Sequence, residues 1–241
     1  MPYRIFNLEE AARYLHLGVE DLERRVKDRA VPFEHRGGRV VFRKRDLDSW
    51  ASQRILGLPE QRLAEYHAQS SRQSSEILSN PELFPAMLER GAIDSAMTAK
   101  TRASVLRELV VLADKTWQVS DSRALLESLE EREKIGSTAL PGGFALPHPR
   151  FHEPYQFESS FVVVGRPIQE IFFGAPDGKP TDLFFLLCCQ DDRLHLLTLA
   201  RVCLMVQQTE LLAELRAAPD AETMRERILA AEQSVLSRVK A

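Results

Sequence analysis

The residues best suited to chemistry in this chain lie in one short stretch, Gly142-Gly143-Phe144-Ala145-Leu146-Pro147-His148-Pro149-Arg150. A neutral imidazole is a good nucleophile near neutral pH, because its reference pKa is about 6.5. His148 stands at the end of an apolar run that reads as a short strand. Pro147 and Pro149 fix φ on either side of it and bar a helix from passing through. The sequence therefore predicts a histidine displayed in a turn at a strand end. A second histidine, His195, follows Asp191-Asp192-Arg193-Leu194 at the opening of an apolar helical run; taken alone it reads as a surface or core residue. His16, His35, His67 and His152 have no comparable context and read as structural.

Long amphipathic patterns surround this stretch. Lys100 to Trp117 places Val105, Leu106, Leu109, Val110 and Leu112 at helical spacing, and Leu125, Leu126 and Leu129 mark another helix before Glu131-Arg132-Glu133. Apolar runs at Phe144 to Leu146, Phe161 to Val164 and Leu183 to Cys189 read as strands, and helices return at Leu194 to Gln207, Glu210 to Ala217 and Pro219 to Val239. Helices interleaved with strands predict an α/β fold for residues 81–241, a sandwich whose mixed sheet is covered by helices.

The first 58 residues read differently. Asn7-Leu8-Glu9-Glu10 has the form of a capping box opening a helix, which Gly18 closes. A second helix starts near Val19 and carries Leu22 and Val26 inward. Val31 to Phe42 reads as a hairpin about Gly37-Gly38, followed by a basic step into a third helix. This is the outline of a small helix-turn-helix domain with a wing. Residues 59–80, including Gln69-Ser70-Ser71-Arg72-Gln73-Ser74-Ser75, lack a wide apolar face and are expected to be a polar linker, either an exposed helix or a flexible tether.

Composition bounds the function. The 241 residues carry 32 basic and 35 acidic side chains, a net charge of -3, so attraction to nucleic acid must come from local clustering of charge. The longest apolar run falls far short of the roughly 20 residues needed to span a bilayer. The amino terminus lacks the regions of a signal peptide, so a cytoplasmic protein is expected. Cys188, Cys189 and Cys203 lie in apolar surroundings and read as buried, reduced thiols. Neither a metal nor a cofactor is expected.

The run from Glu131 to His148, E-R-E-K-I-G-S-T-A-L-P-G-G-F-A-L-P-H, resembles the phosphorylation site of phosphotransferase-system IIA domains of the fructose/mannitol/nitrogen-regulatory class. The likeness extends from about Leu83 to the end. It implies that His148 accepts a phosphoryl group from an HPr-like phosphohistidine carrier protein and that His195 is a second active-site histidine. It also implies that Arg132 and His195 stabilise the transferring phosphate, with donors from Ser137, Thr138 and the turn at Gly142 and Gly143. Pro149 stands where that family commonly has Ala or Gly, and removes a backbone N–H.

The order A-A-x-Y-L, basic second helix, P-F, G-G-R, F-R-K-R-D-L-D-S-W resembles the winged helix-turn-helix domains of the excisionase/MerR class. That resemblance implies DNA contacts from Arg24, Arg25 and Lys27 on the second helix, and from Arg36, Arg39, Arg43, Lys44 and Arg45 on or beside the wing, mostly to phosphates. Domains of this kind often pair as dimers. Glu20, Asp21 and Glu23 depart from it by placing carboxylates where phosphate would approach. Three readings stay open: a phosphorylation-controlled transcription regulator, a phosphocarrier for sugar uptake, and a binding protein with a degenerate site.

Overall fold

The computed structural model describes residues 4–15, 17–74, 82–152 and 155–239. The capping box forms as the sequence predicts. The Asn7 side chain accepts from the Glu10 N–H at 2.9 Å, and the Glu10 carboxylate accepts from the Asn7 N–H at 2.9 Å. It opens α1 (Leu8–Tyr14), which ends at Leu15; Gly18 does not close this helix but is the N-cap of α2 (Val19–Lys27). The hairpin β2 (Glu34–Arg36) and β3 (Arg39–Arg43) turns at Gly37 and Gly38, whose φ values of 56° and 76° favour glycine.

β1 (Ile5–Phe6), too short to leave a pattern in the sequence, pairs antiparallel with β3, giving the order β1-β3-β2. α3 (Lys44–Leu56) leaves the wing directly. Phe6, Ala11, Leu22, Phe42 and Leu47 are buried together and supply the small core of this module.

Of the expected linker, residues 60–74 form a helix, α4 (Glu60–Ser74), that is packed rather than exposed, and residues 75–80 lie outside the described residues. Leu63, His67 and Ser70 recur at helical spacing and are all buried. The reason the pattern was faint is chemical. Only one of the three is apolar, and His67 is buried because Arg201 Nε donates to its Nε2 at 2.6 Å.

The remainder follows the order α5 (Phe84–Met87), β4 (Ile93–Met97), α6 (Arg102–Asp114), α7 (Ser122–Ile135), β5 (Ala139–Leu140), β6 (Phe144–Ala145), β7 (Phe161–Pro167), β8 (Leu183–Cys188), α8 (Asp192–Gln208), α9 (Leu211–Ala217) and α10 (Ala221–Val239). Among the described residues these strands form one mixed sheet, β4-β7-β8-β6-β5. The β4–β7 and β8–β6 pairs are parallel, and β7–β8 and β6–β5 are antiparallel. β8 is buried along its whole length, as a strand covered on both faces must be, which explains its unbroken apolar sequence.

Arg201 of α8 pairs with Glu232 of α10 at 2.5 Å, and the Glu232 carboxylate accepts from the N–H groups of Leu83 and Phe84 at 2.8 and 3.0 Å. One buried ionic network thus joins α4, α5, α8 and α10. Cys188, Cys189 and Cys203 are free and buried, and burial pushes the Cys203 thiol up to about 12. No single described helix is long and apolar enough to cross a membrane.

Candidate functional site

The loop after β6 is carried on the sheet beyond the last strand residue. Leu146 N donates to Thr138 O at 3.1 Å and Leu187 N donates to Pro147 O at 2.9 Å ahead of His148, and Arg150 N donates to Ser128 Oγ at 3.0 Å beyond it, so the backbone on both sides is tied down. The imidazole is fixed at both nitrogens. Nδ1 lies 2.8 Å from Leu146 O, which can only accept, so Nδ1 carries the proton. Arg132 Nε donates to Nε2 at 2.9 Å, so Nε2 presents its lone pair. Burial first, and the Arg132 cation second, hold the His148 pKa well below its ordinary value. The result is a neutral imidazole with its nucleophilic nitrogen facing a guanidinium.

Arg132 comes from the last turn of α7 and is itself buried, with Nη1 donating to Gly136 O at 2.9 Å. Its neighbour Glu133 holds the next turn together by accepting from the Thr138 N–H at 3.1 Å and from the Thr138 hydroxyl. His195 sits in the first turn of α8, behind the N-cap Asp191. Its ring centroid is 4.6 Å from that of His148. The Ser52 hydroxyl donates to Asp48 O at 3.0 Å and its oxygen lies 3.2 Å from His195 Nε2, so Nε2–H is the donor there. His195 Nδ1 is then a buried lone pair with no hydrogen-bond partner among the described residues. Burial, with His152, His148 and Arg132 after it, lowers the His195 pKa as well.

Two expectations need correction. His148 is not displayed but is 2 % exposed, because His195, Arg132 and the amino-terminal module close over the loop. His152 is not a bystander. Its ring stacks on His195 with centroids 4.1 Å apart, and its Nδ1 lies 3.0 Å from an oxygen of Asp192. Burial alone would raise the Asp192 pKa, but the His152 hydrogen bond and charge, together with Lys44, bring it well below the usual carboxylate range. Sequence reasoning missed His152, Asp192 and Ser52. The spacing of His152 four residues beyond His148 was the one available signal, and Ser52 gave none.

The expected phosphate donors are not gathered at His148. Ser137 donates to Phe173 O at 2.8 Å, although it lines the same cavity as Arg132. Thr138 is committed to Glu133. Gly143 O accepts from Asp182 N and Leu183 N, and its Cα faces Arg216 and Asp182. Among the described residues no group of three His, Cys, Asp or Glu side chains is arranged to hold a metal ion.

Residues 86–231 match the family described as phosphoenolpyruvate-dependent sugar phosphotransferase system, EIIA 2. The chain belongs to this family. Residues 5–55 match a helix-turn-helix domain family, so a IIA domain follows a helix-turn-helix domain in one chain. The nitrogen regulatory protein of Bradyrhizobium diazoefficiens is 34% identical over 136 residues, which are 55% of this chain and 86% of that protein. The nitrogen regulatory protein of Pseudomonas aeruginosa is 30% identical over 126 residues, 52% of this chain and 80% of that protein. The crystal structure of nitrogen regulatory protein IIA-Ntr from Neisseria meningitidis superimposes with a TM-score of 0.55 at 27% identity, covering 61% of this chain and 99% of that one.

Around the IIA domain, the basic residues of the helix-turn-helix domain are mostly paired. Arg24 and Arg25 reach Asp21 at 2.5 and 3.4 Å, and Arg36 and Arg43 reach Glu34 at 3.2 and 2.5 Å. Lys27 and Arg39 are exposed. Lys44 and Arg45 point the other way, into the IIA domain. Lys44 pairs with Asp48 at 2.9 Å and with Asp192, and the Arg45 guanidinium lies 3.6 Å from the ring centroid of Phe151.

Proposed function

We propose that the chain is a cytosolic regulator in which the IIA domain accepts a phosphoryl group on His148 and the helix-turn-helix domain binds DNA. The observation that carries the first half is the state of the His148 ring: Nδ1–H is anchored on Leu146 O and a Nε2 lone pair faces the Arg132 guanidinium. Phosphoryl transfer demands a nucleophile in line and fixed positive charge near the equatorial oxygens. Arg132 Nε–H shifts its hydrogen bond from the Nε2 lone pair to an oxygen of the phosphoryl group, Nε2 attacks the phosphorus of a phosphohistidine on an HPr-like carrier, a P–N bond forms, and the bond to the carrier's imidazole breaks with its electron pair returning to that nitrogen. Both rings keep the N–H on the other nitrogen, so no proton has to move. Arg132 stabilises the charge on the transferring group, with His195 beside it.

DNA binding would use Arg24, Arg25, Lys27, Arg36, Arg39 and Arg43, with Lys44 and Arg45 added when the IIA domain releases them; a dimer would present two such surfaces to paired half-sites. A second reading, in which the amino-terminal module docks a protein, is favoured by the ion pairs that Asp21 and Glu34 make with the arginines. The deciding experiment is phosphotransfer from a phosphorylated carrier to the full chain and to His148→Ala, read by intact mass. One acid-labile phosphoryl on the wild type alone supports the reading, and equal labelling of both, or of neither, overturns it.

A further inference from the structure

The face of the IIA domain that holds His148, His152 and His195 is already filled. α3 and α4 both lie along α8, and the amino-terminal module reaches the histidines from that side. Ser52, 4 % exposed, is 3.2 Å from His195 Nε2; Lys44 pairs with Asp192; Arg45 covers Phe151. Further along, Gln207 of α8 reaches Leu58 O at 3.5 Å, and Arg201 reaches His67 of α4. His148 and His195 are 2 % and 1 % exposed.

The opening left beside Arg132 is a cavity of about 600 Å³ between Gln53, Leu56 and Leu58 on one side and Arg132, Ser137 and Phe144 on the other. It admits a phosphate-sized group, but not a protein. A specific protein partner needs about 800 Å² of surface on each side.

We propose that this face is a single docking surface for which the chain's own helix-turn-helix domain and a phosphodonor protein compete, and that a phosphoryl group on His148 keeps the domain off. This rests on the acceptor reading above. The cavity is lined mainly by apolar side chains, with Arg132, the hydrogen-bond partner of His148, as its cation, so holding a phosphoryl dianion beneath the docked domain would strip it of water with incomplete compensation. Opening would also release Lys44 and Arg45 from Asp192 and Phe151. Both are basic side chains that the closed form withholds from a nucleic-acid phosphate.

Hydrogen exchange of α3 and α4 in the full chain tests this without any donor. Lys44→Glu sets a third carboxylate against Asp48 and Asp192, and Ser52→Arg forces a long side chain against His195; both are expected to lose protection in 44–74 while β7 and β8 stay protected. His148→Glu places charge at the acceptor position and is expected to do the same, whereas the neutral His148→Gln stays closed. Phosphotransfer then gives the second arm. Because apparent reactivity scales with the fraction of competent form, a chain open about one part in a hundred should gain more than about tenfold in initial rate on Lys44→Glu or Ser52→Arg.

Unchanged protection in Lys44→Glu, Ser52→Arg and His148→Glu overturns the proposal. So does a wild type that is phosphorylated as fast as the opened variants. If no variant takes a phosphoryl group although His148→Glu opens the chain, the acceptor reading fails while the docking surface stands.

Discussion

Arg132 and His148 carry the proposed chemistry, and their contact is specific enough to be broken selectively. Lysine at 132 keeps a charge but not the planar Nε–H that faces His148 Nε2. Losing a preorganised donor to developing charge costs roughly 10²–10³ in rate. Phosphotransfer to Arg132→Lys is therefore expected to fall by about that factor with carrier affinity little changed, which initial rates over a range of carrier concentration would check; a change below about threefold contradicts the role. His148, Arg132 and His195 were legible because they sit in contiguous motifs whose residue types survive as text. Asp192 and Ser52 were not, since they meet the site only through packing of α8 and α3 across 140 positions of sequence, and His152, only four residues beyond His148, was not because its role comes from stacking on His195 of α8. The same packing buries His148, which no local pattern encodes.

At the scale of elements, the capped and strongly periodic helices and the Gly37-Gly38 hairpin could be read directly. β4 could not, because Ile93-Asp94-Ser95-Ala96-Met97 neither alternates nor runs apolar, and β5 is two residues long. α4 was obscured by burying a histidine. That histidine makes a measurable prediction. Burial first, and Arg201 second, lower the His67 pKa to about 3. An unfolded histidine titrates near 6.5, so below that pH the unfolded chain takes up a proton that the native chain refuses, and stability is lost as pH falls from 7 towards 5. The slope is about 1.4 kcal/mol per pH unit for one such group. Asp48, raised to about 6 by burial and by Asp192, acts in the opposite sense. Urea denaturation at pH 7.5 and 5.5 should therefore show a smaller acid loss for His67→Gln than for wild type; parallel losses would contradict a neutral buried His67.

Close packing gives a second element-scale test. A Cβ built on Gly165 of β7 would lie 2.1 Å from Met97 Sδ and 3.1 Å from Leu109 Cδ2. Gly165→Ala is expected to cost about 1–3 kcal/mol through displacement of Met97 between β4 and β7, measured by thermal or urea unfolding.

At the scale of the whole molecule, the helix-turn-helix domain covers the IIA face and, in the proposed function, also reads nucleic acid. These roles share Lys44 and Arg45, which makes the coupling quantitative. Each cation that neutralises a DNA phosphate adds about 0.9 to the slope of log affinity against log salt. The phosphorylated chain is expected to bind duplex DNA more tightly than the unphosphorylated chain, with a slope steeper by about two. Equal affinities and slopes for the two forms would break the link between the domains.

The proposed chemistry turns on one atom, Nε2 of His148. Heteronuclear NMR of the full chain, labelled with 15N in its histidines and phosphorylated by the carrier, reads that atom directly. The predicted result is phosphorus–nitrogen coupling at Nε2 of His148 with Nδ1 still protonated on Leu146 O. Phosphorus on Nδ1, or on His152 or His195 with the His148 ring unmodified, would contradict it.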